Sequence, residues 1–220
     1  ALSHTLLAVE RISWAIDWLR SREVNIPLSQ EDRLCLGYAA LFHDIGKRDA
    51  YSEDEEERVH FYHHEDFSSQ AAEGIMKRLR FSNLLREKTI HIVRNHMRLL
   101  NLSRETKETA LKRLAHQTGE EIPLLVIHTL ADKEASRGVL SLQRDEVVEN
   151  HCLRLMELFR QEEIVRPASL VRGKDVMALG YQEGPKIGEI LDHIRKKQVE
   201  GEIRTREEAI ILLREKFGLK

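Results

Sequence analysis

His43 and Asp44 stand side by side in the string Leu41-Phe-His-Asp-Ile-Gly-Lys47, which joins an imidazole, a carboxylate, a glycine and a cation at the end of an apolar stretch. A charged Asp in such a place is costly to bury unless it is paired or bound to a metal. A metal site needs more ligands, drawn from other segments, and the sequence offers four. His4 is near the start of the first helical stretch. His64 immediately precedes the third, and His96 lies beside the buried stripe of the fourth. Asp132 lies on the apolar stretch opened by Pro123. Helical bundles build metal sites by projecting such groups inward from several helices. Each residue alone has a plainer reading. His4 could be an exposed terminal residue, His64 a solvent-facing loop residue beside His63, His96 a satisfied core imidazole and Asp132 a paired helix carboxylate. The joint pattern is what points to a metal. Imidazoles with carboxylates suit Mn, Fe, Co, Ni or Zn better than Mg, which prefers oxygen ligands.

The elements that must position these groups read as helices almost throughout. Leu6, Val9, Ile12, Ile16 and Leu19 recur at helical spacing and predict a helix over about 3–22, with Ser3 as a candidate N-cap. Pro27 and Ser29-Gln-Glu-Asp announce a second, about 30–45. Its body, Leu34 to Phe42, is apolar nearly all round and belongs in the middle of a core, with Gly46 as its stop. Residues 47–60 are charged and irregular, and the acidic run Glu53 to Glu57 reads as a solvated loop. Further helices are expected from near Glu65, over about 84–99, 106–116, 124–137 and 144–162, and in the tail over 187–200 and 205–216. Thr205 with Glu208 makes a capping box there. No sustained alternation and no Asn-Gly turn predict a strand. The fold class expected is therefore all-α, a bundle with a small helical appendage after a boundary at Arg166-Pro167.

Composition sets wider limits. The chain has 220 residues, 41% hydrophobic and 33% charged, with a formal net charge of -2. That balance supplies no global basic field for nucleic acid, although a local patch is compatible with it. No apolar run approaches the ~20 residues that span a bilayer, so no membrane partner is expected. Cys35 and Cys152 sit alone in apolar helical patterns and read as buried thiols of a reducing, cytoplasmic setting. Because Ala1 is not Met and a helical pattern begins at once, a fragment of a longer polypeptide or a processed chain is expected. Oligomeric state is not legible.

His4, then His43-Asp44, then Asp132 resembles the H…HD…D signature of the HD phosphohydrolase superfamily. Phe61-Tyr-His-His-Glu65 and Ile92-Val-Arg-Asn-His96 resemble two further His stations there. Within that superfamily, the chain is most similar to HD-containing members of the CCA-adding tRNA nucleotidyltransferase and poly(A) polymerase group. Arg78-Leu-Arg-Phe-Ser82 and the tail strings Val171 to Gly180, Gly184-Pro-Lys-Ile-Gly188 and Glu200-Gly-Glu-Ile203 carry that likeness. The Gly-rich turn and paired carboxylates of the group's catalytic head have no counterpart here, so nucleotide transfer by this chain alone is not expected.

The resemblance implies an HD domain over 1–165 and a tail domain over 166–220. It implies phosphomonoesterase or 2′,3′-cyclic phosphodiesterase activity on nucleotides or RNA ends, with tRNA as a further partner. A tRNA-binding scaffold without chemistry and a nucleotide-signalling hydrolase are the alternatives. One ion would use His4, His43, Asp44 and Asp132, and a second would add His64 and His96, with Asp44 the natural bridge. Water activated there would attack phosphorus, while Lys47 binds substrate and, with Asp44, forms the catalytic pair. Glu65 reads as orienting an imidazole or as a favourable first-turn acid. His128, one turn before Asp132 on the same face, reads as a supporting or core residue. His60, His63, His91, His116, His151 and His193 read as ordinary. Gly173-Lys-Asp175 reads as a joining turn in preference to a phosphate site.

Overall fold

The helix signals are strong enough to fix most of the architecture. In the computed structural model, which describes residues 2–137 and 146–218, the expected helical bundle is observed, with one small two-stranded sheet among the described residues. Helix α1 spans Leu2–Arg20, and α2 spans Gln30–Phe42. Ser3 is not an N-cap, because α1 is already running at Leu2. Helix α2 starts with a full capping box: Ser29 Oγ accepts from the Asp32 N–H, and Asp32 Oδ2 accepts from the Ser29 N–H at 3.1 Å. Helix α2 ends at Phe42, and the chain tightens into a 3-10 turn over Ile45–Arg48. Gly46 is therefore inside that turn and does not stop the helix.

Two antiparallel strands, β1 (Ser52–Glu53) and β2 (Val59–His60), correct the expectation of an irregular loop without strands. They are too short to produce an alternation that can be read in sequence. What closes the hairpin is Asp54, whose Oδ1 accepts from the N–H groups of Glu56 and Arg58, both at 3.0 Å. Asp side chains that bond their own backbone in this way favour turns. Helix α3 (His64–Arg78) follows, then α4 (Asn83–Asn95) and the short α5 (Met97–Leu100). The predicted single helix over 84–99 is thus broken at His96.

After α6 (Glu108–Thr118) and a 3-10 turn comes α7 (Ile122–Ala135), with Pro123 in its first turn. Residues Leu124 to Asp132 are buried without a break. This helix takes the central place expected of α2, which leaves Leu34 44% and Leu41 38% exposed. Helix α1 packs on α2 and α7, and α4 packs on α2 and α3. The start of the helix expected from Arg144 lies outside the described residues; within them, α8 runs Glu146–Phe159 and α9 is a separate turn, Glu162–Val165.

The chain divides into two compact units, 1–104 with 121–156, and 105–120 with 157–220. The first holds α1 to α5 and α7. The second holds α6, α9, α10 (Gly173–Met177), α11 (Pro185–Glu200) and α12 (Arg206–Phe217). Val171, Val176, Ile190, Ile194 and Leu213 make its core. The Thr205–Glu208 capping box is present. Gly173-Lys-Asp175 is a helical turn, and Asp175 is engaged by the Arg172 N–H at 2.7 Å and Arg206 at 2.6 Å. Both cysteines are buried free thiols, and no helix among the described residues is long and apolar enough to cross a membrane.

Candidate metal centre

The ends of five helices bring the chemistry-bearing residues of the first unit together. His43 closes α2, still with helical backbone angles. Asp44 then leaves the helix at φ -107, ψ 1, in the sparsely populated bridge region that many active-site residues occupy. His64 opens α3, after His63 in the left-handed region at φ 58. His96 sits between α4 and α5. Asp132 comes from buried α7, and His4 from the first turns of α1.

The ligand-type atoms form two overlapping groups, His4–His43–Asp44 and Asp44–His64–His96, each with its atoms within 4.8 Å of one another. His4 Nε2 lies 3.3 Å from His43 Nε2, 3.0 Å from Asp132 Oδ1 and 3.7 Å from Asp44 Oδ2. His43 Nε2 is 3.4 Å from Asp44 Oδ2 and 3.5 Å from Asp132 Oδ1. On the other side, His64 Nε2 is 3.4 Å from Asp44 Oδ1 and 3.1 Å from His96 Nε2. The two oxygens of Asp44 thus face different groups. Lys47 Nζ reaches Asp44 Oδ2 at 2.7 Å from a side chain that is 38% exposed.

The tautomers follow from the backbone. His43 Nδ1 faces the Ala40 carbonyl at 2.8 Å, His64 Nδ1 the Phe61 carbonyl at 2.9 Å, and His96 Nδ1 the Val93 carbonyl at 2.7 Å. A carbonyl only accepts, so each Nδ1 carries the proton. For His43 and His96, the acceptors are carbonyls near helix ends, which lack helical partners there. In its neutral form each of these rings then aims the Nε2 lone pair at the cluster, an arrangement typical of imidazoles that bind metals. Between His64 and His96, lone pairs 3.1 Å apart repel unless a positive charge lies between them. Ligand atoms that share one ion at about 2.0–2.1 Å, across angles of about 90–110°, stand about 2.9–3.4 Å apart. Five of the seven spacings fall in that range, and His43 to Asp132 at 3.5 Å and His4 to Asp44 at 3.7 Å lie just above it, so these six residues could hold one or two ions.

Electrostatics point the same way. Burial alone would lower the pKa of His43, but hydrogen bonds to Asp132 and Asp44 outweigh it and raise the value to about 10. Asp44 and Asp132 are held well below the usual carboxylate range. Burial opposes this but loses to hydrogen bonds from His43 and His64 at Asp44, and from His4 and His43 at Asp132. With only protons to balance them, two buried carboxylates pull a positive charge onto His43. His96 is lowered to about 4, first by burial and then by the neighbouring His43 charge.

All six sequence-derived ligand candidates and Lys47 come together. Glu65 lies 3.7 Å from His64 Nδ1, farther than the Phe61 carbonyl that holds this atom, so its orienting role is not supported. One feature escaped the sequence reading. Gly46 presses against α3: a Cβ there would meet Ser68 N at 2.3 Å and the His64 carbonyl at 2.7 Å, and its N–H donates to Ser68 Oγ at 2.9 Å. The spacing of Gly46 from Ser68 carries no local signal, so only the fold reveals it. His128 is buried, edge-on to His43 and His96 at 5.3 and 6.0 Å between ring centres. This is the supporting or core position expected from its place on the Asp132 face. Among the ordinary histidines, His60 is 2.9 Å from Asp54 in the hairpin.

Comparison with known proteins gives this unit a context. The chain is similar to the A-adding tRNA nucleotidyltransferase of Deinococcus radiodurans, 29% identical over 178 residues, covering 80% of this chain and 40% of that protein. It is also similar to the CC-adding tRNA nucleotidyltransferase of Thermus thermophilus, 36% identical over 211 residues, covering 95% of this chain and 43% of that protein. The chain therefore spans about two fifths of the length of these relatives. The family model of tRNA nucleotidyltransferase domain 2 matches residues 51–213, a stretch that includes His64, His96 and Asp132 and begins after His43, Asp44 and Lys47. By that match the chain belongs to the tRNA nucleotidyltransferase domain 2 family.

Proposed function

We propose that the chain is a metal-dependent phosphohydrolase of the HD type, a phosphomonoesterase or 2′,3′-cyclic phosphodiesterase acting on nucleotides or RNA ends, within a tRNA nucleotidyltransferase context. In this reading, residues 1–165 form the HD domain and 166–220 a tail domain of tRNA nucleotidyltransferase type. The observation that carries it is the sharing of Asp44 between two groups of imidazole ligands, with Nε2 atoms converging at 3.1–3.3 Å. His4, His43, Asp44 and Asp132 would hold one ion, and Asp44, His64 and His96 a second. The mixed nitrogen and oxygen set favours Mn, Fe, Co, Ni or Zn over Mg.

Ions held there would supply Lewis acidity, which can draw the pKa of water toward about 7. The protein's own groups do the rest. Asp44 and Asp132 stay ionised, because their hydrogen bonds hold them far below neutral pH. The carbonyls of Ala40, Phe61 and Val93 fix the rings, so no reorganisation is needed at the moment of reaction. Lys47 is the exposed cation of the site, and a compact ammonium there can leave Asp44 to bind phosphoryl oxygens.

The test is turnover of 2′,3′-cyclic nucleotides and of simple phosphate esters by protein loaded in turn with each ion. Hydrolysis that chelators abolish is expected. Folded protein inactive with every ion would discard the proposal. The family match favours one second reading, a tRNA-binding module whose ion site is structural. Gel shifts with tRNA at two salt concentrations separate the two, since salt-sensitive binding without hydrolysis selects the module.

A further inference from the structure

The rim of the candidate centre is aromatic. The hairpin register pairs Ser52 with His60, which sets Tyr51 opposite Phe61 at its foot. Their ring centres are 6.2 Å apart at 62°, yet Tyr51 is 53% and Phe61 36% exposed. Phe61 is tied to the centre twice. Its carbonyl accepts from His64 Nδ1, and Lys47 Nζ lies 5.8 Å from its ring centre and 2.7 Å from Asp44 Oδ2. Lys47 thus spans the ground between carboxylate and ring.

We propose that Tyr51 and Phe61 are the base-stacking platform of this site, so that its ligand is a ribonucleotide whose phosphate meets Lys47 and whose base lies on the rings. This deepens the phosphohydrolase reading and rests on it. Exposed rings beside a phosphate-binding cation are the combination by which proteins hold single nucleotides and strand ends, because every base offers a π-face. The plainer role is a cross-strand aromatic pair that only closes the hairpin. That role predicts effects blind to the ligand, which separates the two.

The test uses 2-aminopurine riboside 3′-phosphate, free or at the end of a short RNA, titrated into the full chain with EDTA so that nothing turns over. Saturable quenching by stacking is expected. Phe61→Leu and Tyr51→Leu should weaken it by about five- to 150-fold, and Phe61→Trp should restore it. Tyr62→Leu should leave it unchanged, since Tyr62 stacks on His60 at 4.9 Å, on the hairpin. Tighter binding of the RNA than of the free nucleotide assigns the platform to strand ends, and equal binding to mononucleotides. With Mn loaded, the two Leu variants should raise KM for the nucleotide and not for glycerol 2-phosphate. No quenching by the wild type, or equal losses on both substrates, overturns the platform. Quenching without turnover of any ester leaves the platform standing and removes the hydrolase reading. Turnover without quenching does the reverse.

Discussion

Gly46→Ala tests how the second group of candidate ligands, Asp44, His64 and His96, is held together. A methyl at this position would lie 2.3 Å from Ser68 N, 2.7 Å from the His64 carbonyl oxygen and 2.7 Å from Phe67 Cβ. Ordinary contact begins near 3.4 Å, so α3 must retreat by about 1 Å at its first turn. Two of these neighbours are backbone atoms and cannot swing aside. Overpacking of this kind costs about 1–3 kcal/mol, and losing the Gly46 N–H to Ser68 Oγ bond adds about 1 kcal/mol. The expected fall in Tm is about 4–16 °C for a chain of this size. The same retreat carries His64 away from Asp44, from which it now stands 3.4 Å, while His4, His43, Asp44 and Asp132 lie on the other side of the movement. Elemental analysis should then show the loss of one ion from a two-ion site, not of both. Gly37→Ala is the control. Nothing lies within 4 Å of its added Cβ, and a helical alanine stabilises by about 0.5–1 kcal/mol over glycine. If Gly46→Ala kept its full ion content and its Tm, the idea that this glycine sets the distance between α2 and α3 would fail.

Further outcomes follow from the same geometry. His43→Ala should lose bound metal with an unchanged far-UV circular dichroism spectrum, and full metal content in elemental analysis would contradict its role. Phe42→Ala removes a buried ring stacked on Tyr38, 6.0 Å between centres, and should cost about 3–5 kcal/mol in urea unfolding; a cost below 1 kcal/mol would refute that burial. Asp32 is pushed below its ordinary pKa because hydrogen bonds from Lys88 and Ser29 outweigh the opposing effect of burial. Its folded pKa is depressed, so its contribution is present above the unfolded pKa, near 3.9, and is lost as pH falls through the folded value. Asp32→Asn should therefore be less stable than the wild type by about 0.2–1 kcal/mol at pH 7, with the gap closing in acid. A gap that stays constant from pH 7 to pH 2 would rule out the charge as its cause.

What the sequence made legible was residue type and helical period. His43-Asp44 beside an apolar helix, and Asp132 within another, were readable because burying a carboxylate demands a partner. Ser29-Asp32 and Thr205-Glu208 cap helices through contacts three residues apart, so local spacing was enough. The break at His96 was not readable. It serves a ring that must turn its Nδ1 back to the Val93 carbonyl and its Nε2 toward His64, thirty-two residues away in the chain. The hairpin escaped for a different reason. Its strands have two residues each, below any period, and its stability lies in the bonds of Asp54 to its own turn. The close contact of Gly46 with Ser68 is a relation between two elements, and no window of sequence contains both.

Asp44 shows why the chain must leave α2 where it does. A continued α-helix would not form the 3-10 turn over Ile45–Arg48 whose Gly46 packs against α3. Instead, His43 keeps helical angles so that Ala40 can fix its ring, and the next residue departs to φ -107, ψ 1. Its Oδ2 stands near His4 and His43 and its Oδ1 near His64. Gly46 then lets α3 close against the turn, since any side chain would hold it off. The two groups are therefore coupled through one residue and one contact. A substitution at Asp44 should disturb both, one at His64 or Gly46 only the second, and one at His4 only the first. Ion stoichiometry across that set would reveal the coupling even if every variant were inactive.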